Sequence, residues 1–189
     1  MKKLAIINAF FLLILAQSCQ NNTSSSSIED IEKRELSKGI RNDKLFLDLK
    51  LGMTSKEFYA VCWELNKQGI LKEGRGNTSA MQVLDKGELK YPAAMLFYPR
   101  FLNDKIVEMP MLFTYSSWAP WNRDMQSDNL MTDVKKLLNS WYPRGTEFIS
   151  QKDEKGNILL VKVNGNMKIT ISIENESEVR VSIIDLAPK

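Results

Sequence analysis

The stretch Gly52-Met53-Thr54-Ser55-Lys56-Glu57 most constrains the fold of this chain, because it fixes the start of a helix and the face that helix must bury. Thr54 and Glu57 stand in capping-box spacing. The threonine hydroxyl can accept from the Glu57 amide, and the carboxylate can reach back to the Thr54 amide. Phe58, Val61, Cys62 and Leu65 follow at i, i+3, i+4 and i+7, an apolar stripe one side wide, and Gly69 ends the run. Tyr59 and Trp63, four residues apart, flank the stripe and are placed to cover a sheet edge. A helix of this kind needs a flat apolar partner, and the rest of the chain supplies period-two segments. These are Ala80–Leu84, Ala93–Tyr98, Lys105–Tyr115, Glu147–Gln151, Ile158–Val163, Met167–Ile173 and Val179–Leu186, with Asn164-Gly165-Asn166 as a hairpin turn. Lys44–Leu51, with leucines at 45, 47, 49 and 51, reads as a further strand or extended segment. Pro110 predicts an edge position or a bulge within its strand. Ser127 or Asp128 caps a second helix whose stripe is Leu130, Val134, Leu137, Leu138 and Trp141, stopped by Pro143 and Gly145. The expected class is α+β, with amphipathic helices packed on an antiparallel sheet.

The N-terminus speaks to location. A basic start at Lys2 and Lys3 is followed by an apolar run from Leu4 to Ala16, about 13 residues and short of the roughly 20 that span a bilayer. The run ends on Leu15-Ala16-Gln17-Ser18-Cys19, which resembles the lipobox of bacterial lipoproteins. That resemblance implies removal of residues 1–18 as a signal peptide and lipid attachment at Cys19. Gln20, not aspartate, follows the cysteine, which by the enterobacterial sorting rule implies the outer membrane, facing the periplasm. The polar, serine-rich residues after Cys19 read as a flexible leash. Ile28–Lys38 is expected to extend it with marginal helicity, making 19–43 the tether and 44–189 the folded domain.

Composition narrows the chemistry. Hydrophobic residues make up 43% and charged residues 26%, a globular balance. The net charge of +3 includes Lys2 and Lys3, so the processed chain stands near +1, with no general attraction for nucleic acid. The sequence has no histidine, which removes the commonest general base and most zinc and iron sites. No cofactor or metal is expected. With Cys19 acylated, Cys62 has no partner for a disulfide, and its place in the helical stripe reads as a small core residue. Acidic residues such as Asp48, Glu88, Asp124 and Asp133 are scattered without a catalytic spacing. The loop Asp153–Asn157 lacks the alternating ligands of a calcium loop and reads as a hairpin turn.

The two helices align at a constant offset of 73 residues, Phe58, Val61 and Leu65 on Met131, Val134 and Leu138. Each is followed by strands, which suggests a repeat, 44–117 and 118–189, of helix-plus-three-strand units. Together with the entry Leu51-Gly52-Met53-Thr54-x-x-Glu57, the pattern resembles the β-lactamase inhibitor protein fold and the outer-membrane assembly lipoproteins of the BamE/SmpA kind. Members of those families act by binding proteins, and the resemblance implies the same here, with an envelope protein as partner and no catalysis. The candidate binding residues are Tyr115, Trp118, Trp121 and Arg123, since tryptophan and arginine are enriched where partners bind. Alternatively, both tryptophans close over the core beneath the second helix. A second function remains open: small-ligand or polysaccharide binding on tryptophan platforms.

Overall fold

The computed structural model describes residues 27–188. Three helices, α1 (Ile28–Ser37), α2 (Ser55–Lys67) and α3 (Ser127–Trp141), accompany nine strands. These are β1 (Leu71–Glu73), β2 (Ala80–Leu84), β3 (Ala93–Phe97), β4 (Arg100–Leu102), β5 (Lys105–Tyr115), β6 (Ile149–Lys152), β7 (Ile158–Asn164), β8 (Met167–Ile173) and β9 (Glu178–Asp185). All join one antiparallel sheet in the order β1-β2-β3-β5-β9-β8-β7-β6, with β4 pairing β5 at its start. The mixed helix and antiparallel-sheet class expected from periodicity is what forms. Each of α2 and α3 is followed by four strands of this path, one more than expected, and the two sets meet where β5 pairs β9.

One face of the sheet carries the main core. Met95 and Phe97 on β3, Met109, Met111 and Phe113 on β5, Val179, Val181 and Ile183 on β9, and Ile169 and Ile171 on β8 are all buried. Helix α3 lays Leu130, Val134, Leu137 and Leu138 against it, and α2 contributes Phe58. Each such side chain contributes very roughly 1.5–3 kcal/mol by leaving water. The α2 entry has the anticipated chemistry: the Glu57 amide donates to Thr54 Oγ1 at 3.2 Å, and the Thr54 amide donates to Glu57 Oε2 at 2.7 Å. Helix α3 begins without a side-chain cap. Gln126 holds the cap position, and the Ser127 amide donates instead to the Glu176 carbonyl, tying the helix start to the β8–β9 turn.

Several expectations need correction. Lys44–Leu51 is no strand. The chain folds back at Leu47 and Asp48, both at positive φ, leaving one bridge between Lys44 and Lys50. Leu45, Phe46, Leu49 and Leu51 are buried by this turn, so strict alternation is lost at Phe46. Pro110 lies in central β5, not at an edge, but the strand does carry the alternative irregularity: the pairing with β4 shifts register from Arg100–Glu108 to Phe101–Ile106. The proline falls in the gap between the last residue paired with β4, Glu108, and the first paired with β3, Met111, where a missing N–H costs that side of the ladder nothing.

The segment taken as tether is also structured from Ile28 onward. Ser27 caps α1, and Ile31 is 2% exposed against Val161 and Val163 on the opposite face of the sheet from α3. Glu32 pairs with Lys168 at 2.7 Å. The following residues are latched to the β7–β8 turn and the end of β9: the Asn42 amide donates to Asn166 Oδ1 at 2.6 Å, and Arg41 meets Asp185 at 2.6 Å.

Candidate binding groove

The four residues singled out in sequence do not form one site. Tyr115 is buried. Its hydroxyl donates to Asp133 Oδ2 at 2.8 Å, joining β5 to α3, and burial followed by the Asp133 carboxylate holds its phenol above the ordinary range. Its side chain is spent in the core, although the residue also borders the depression that Trp118 lines. Trp118 packs against the core and lines a depression on the opposite face of the sheet together with Leu96, Thr114 and Glu178. Trp121 is 84% exposed, and Arg123 is exposed beside it in a short 3₁₀ turn, Arg123–Met125. The two tryptophans therefore part company: one ring closes over protein and the other stands in solvent. Cys19 lies outside the described residues.

A larger concavity lies elsewhere, in the groove of about 870 Å³ between α2 and the β1–β2 edge of the sheet. Phe58, Leu71 and Ala80 belong to its apolar lining, and Asn66, Thr78 and Ser79 give it polar atoms. Its rim is aromatic. Trp63 is 65% exposed and Tyr59 52%, and Tyr98 stands opposite, just past the end of β3. The Tyr59 and Tyr98 hydroxyls share a hydrogen bond of 2.5 Å, which pushes the Tyr98 phenol above its ordinary value. Lys67 Nζ sits 5.7 Å from the Trp63 ring centre, a cation–π distance.

These rings are positioned by local sequence. The capping box sets the start of α2, the stripe Phe58–Val61–Leu65 turns inward, and residues 59 and 63 are left on the flank. The Asn66 side chain donates to the Leu71 carbonyl at 3.0 Å and holds the α2–β1 corner. Cys62 also lines the groove, half-buried and free, and burial raises its thiol to about 11, so it is no thiolate nucleophile at neutral pH. The expectation that Tyr59 and Trp63 sit by a sheet edge is met, although they line a groove beside it instead of sealing it. Their i, i+4 spacing off the apolar stripe was the signal available in sequence for this site.

The groove offers flat apolar surface, hydroxyl and amide groups, and one charge of each sign, from Lys72 and Glu73. Among the described residues, no group of three or more His, Cys, Asp or Glu is arranged to hold a metal ion. None of their helices is long and apolar enough to cross a membrane. Comparison with protein-family models, with curated proteins and with solved structures finds no match to this chain.

Proposed function

We propose that this chain is a membrane-anchored lipoprotein of the cell envelope that acts as a non-catalytic protein-binding or assembly module, taking its partner in the groove between α2 and β1. The observation that carries this reading is the exposed aromatic rim. Trp63, Tyr59 and Tyr98 surround a concavity at rigid elements, and buried aromatic anchors dominate the energetics of protein interfaces. The lipobox-like N-terminus supports placement in the envelope, on the outer membrane facing the periplasm. The reading extends to the fold. A helix with a four-strand meander, α2 with β1, β2, β3 and β5, then α3 with β6 to β9, is repeated about the β5–β9 pair, as in β-lactamase inhibitor protein-like architecture. The strand order is what supports that duplication.

The test is crosslinking in intact cells that make the protein, followed by capture and mass spectrometry, with Trp63→Ala and Tyr59→Ala as variants. Both side chains are largely exposed, so the fold should survive their loss. A reproducible envelope-protein partner, captured by the parent and lost with either variant, is the expected result. Capture that is indifferent to both variants refutes the groove as its site. A second reading is favoured by the polar atoms of Asn66, Thr78 and Ser79 beside a Trp ring: a sugar stacked on Trp63. It predicts shifts of groove resonances on titration with envelope oligosaccharides when no protein partner is captured.

A further inference from the structure

The strands share two ends. One end carries the Asn103-Asp104 and Asn164–Asn166 turns. The other carries the loop after Tyr115, the Asp153–Asn157 turn and the β8–β9 turn, since Tyr115 pairs Ala93, Ile173 pairs Val179 and Lys152 pairs Ile158. Helix α1 packs along β7, and the residues after it are latched at Asn164 and Asn166. Its ten residues, about 15 Å long, therefore run back along β7 and set Ile28 toward the second end. Eight residues separate Cys19 from Ile28. Fully extended, the nine steps from Cys19 to Ile28 span at most roughly 32 Å. A lipid on Cys19 thus attaches the body at this end of the sheet and keeps it within that reach of the bilayer, while the aromatic groove lies on the other half of the sheet, beside β1 and β2.

The same end gathers exposed apolar side chains that the core does not use. Trp121 is 84% exposed, Ile158 54% and Ile173 38%. Register places Ile158 and Ile173 directly across from each other at the ends of β7 and β8, continuing the pairing of Leu159 with Ser172. Trp121 comes from the loop after β5, which leaves the sheet at the same end. Tryptophan is enriched at membrane–water interfaces, where an apolar ring and an N–H donor are both accommodated. Asp153 and Glu154 beside the patch are balanced by Lys152 and Lys155, and Glu174 is paired with Arg180 at 2.6 Å, so the surroundings are near neutral and suit zwitterionic headgroups.

We infer that this end of the sheet rests on the bilayer, with Trp121, Ile158 and Ile173 entering the interface of a zwitterionic lipid surface as a second contact beside the acyl anchor. The inference depends on the lipid-anchor reading. A second contact orients the body, which one flexible attachment does not, and presents the groove to the periplasm.

The experiment uses the full acylated protein in phosphatidylethanolamine/phosphatidylcholine vesicles whose acyl chains are brominated near the headgroup. Flotation reports anchoring, and tryptophan emission reports contact. The expected result is co-flotation with quenching that is lost in Trp121→Phe and diminished in Ile158→Ser with Ile173→Ser at unchanged thermal stability. Co-flotation with the Trp121 emission unquenched overturns the inference and leaves the anchor standing. Failure to float overturns the anchor reading and the inference with it. Photocrosslinking from position 121 to an envelope protein, without lipid quenching, makes this end a protein interface and also overturns the inference.

Discussion

Asp133→Ala should be among the most damaging single changes outside the apolar core. The Asp133 carboxylate is buried between α3 and β5, where Oδ2 accepts from the Tyr115 hydroxyl at 2.8 Å and from the Lys90 amide at 3.0 Å. Lys136, at 3.5 Å, is a mostly exposed partner and contributes little. Alanine removes a charge-assisted acceptor, worth about 1.5–3 kcal/mol, and leaves a buried phenol unsatisfied, for an expected net loss of about 3 kcal/mol. For a domain of this size, that lowers Tm by roughly 6–12 °C. Asp133→Asn keeps an oxygen acceptor and should lose only about 1 kcal/mol, as should Tyr115→Phe. Urea unfolding followed by circular dichroism measures all three, and the double variant Tyr115→Phe with Asp133→Ala closes a thermodynamic cycle. The coupling should reach about 1 kcal/mol or more. A loss below about 1 kcal/mol for Asp133→Ala, or coupling within about 0.5 kcal/mol of zero, refutes the structural role given to this pair. Partner capture unaffected by Tyr115→Phe is the matching functional result.

Two further outcomes follow from the latch and the caps. Gly165 has φ +60°, and a Cβ there would run into the Ile40 carbonyl. Gly165→Ala should therefore cost more than about 1 kcal/mol in urea unfolding and speed proteolysis near Arg41, whereas full stability would mean that the α1 latch is dispensable. Hydrogen bonds from Thr54 hold the Glu57 carboxyl below its ordinary value, and those from Ser55 do the same for Asp104. Folded values below unfolded ones mean that the stabilisation is present above the ordinary carboxylate range and is lost as pH falls through the depressed values. The α2 start should accordingly weaken below about pH 4.5, read as faster amide exchange at residues 55–58, and Glu57→Gln should flatten that dependence.

Much of the architecture was legible because its causes are local. The α2 start rests on two residues three apart, and the β7–β8 hairpin on a glycine turn between alternating strands. The misreadings share a different cause. Ile28–Lys38 looks like polar tether because its docking needs little more than Ile31, and the groove it fills, formed by Val161 and Val163, lies more than a hundred residues away. Lys44–Leu51 alternates in sequence, yet Leu47 and Asp48 turn the chain to fill a corner of the core. Trp118 and Trp121 are equivalent in sequence and diverge in space because one ring meets the sheet and the other meets nothing.

The sequence by itself determined where α2 starts, the apolar stripes of α2 and α3, most of the alternating strands and the lack of histidine, since capping, periodicity and composition act within a few residues. Only the tertiary structure decided which aromatic side chains remain available. Tyr115 is consumed by Asp133, while Trp63, Tyr59 and Tyr98 gather from α2 and the end of β3. Exposure depends on what long-range pairing brings to each face, and the hydrophobic effect does not distinguish a tryptophan that anchors the core from one left for a partner until the sheet has closed around it.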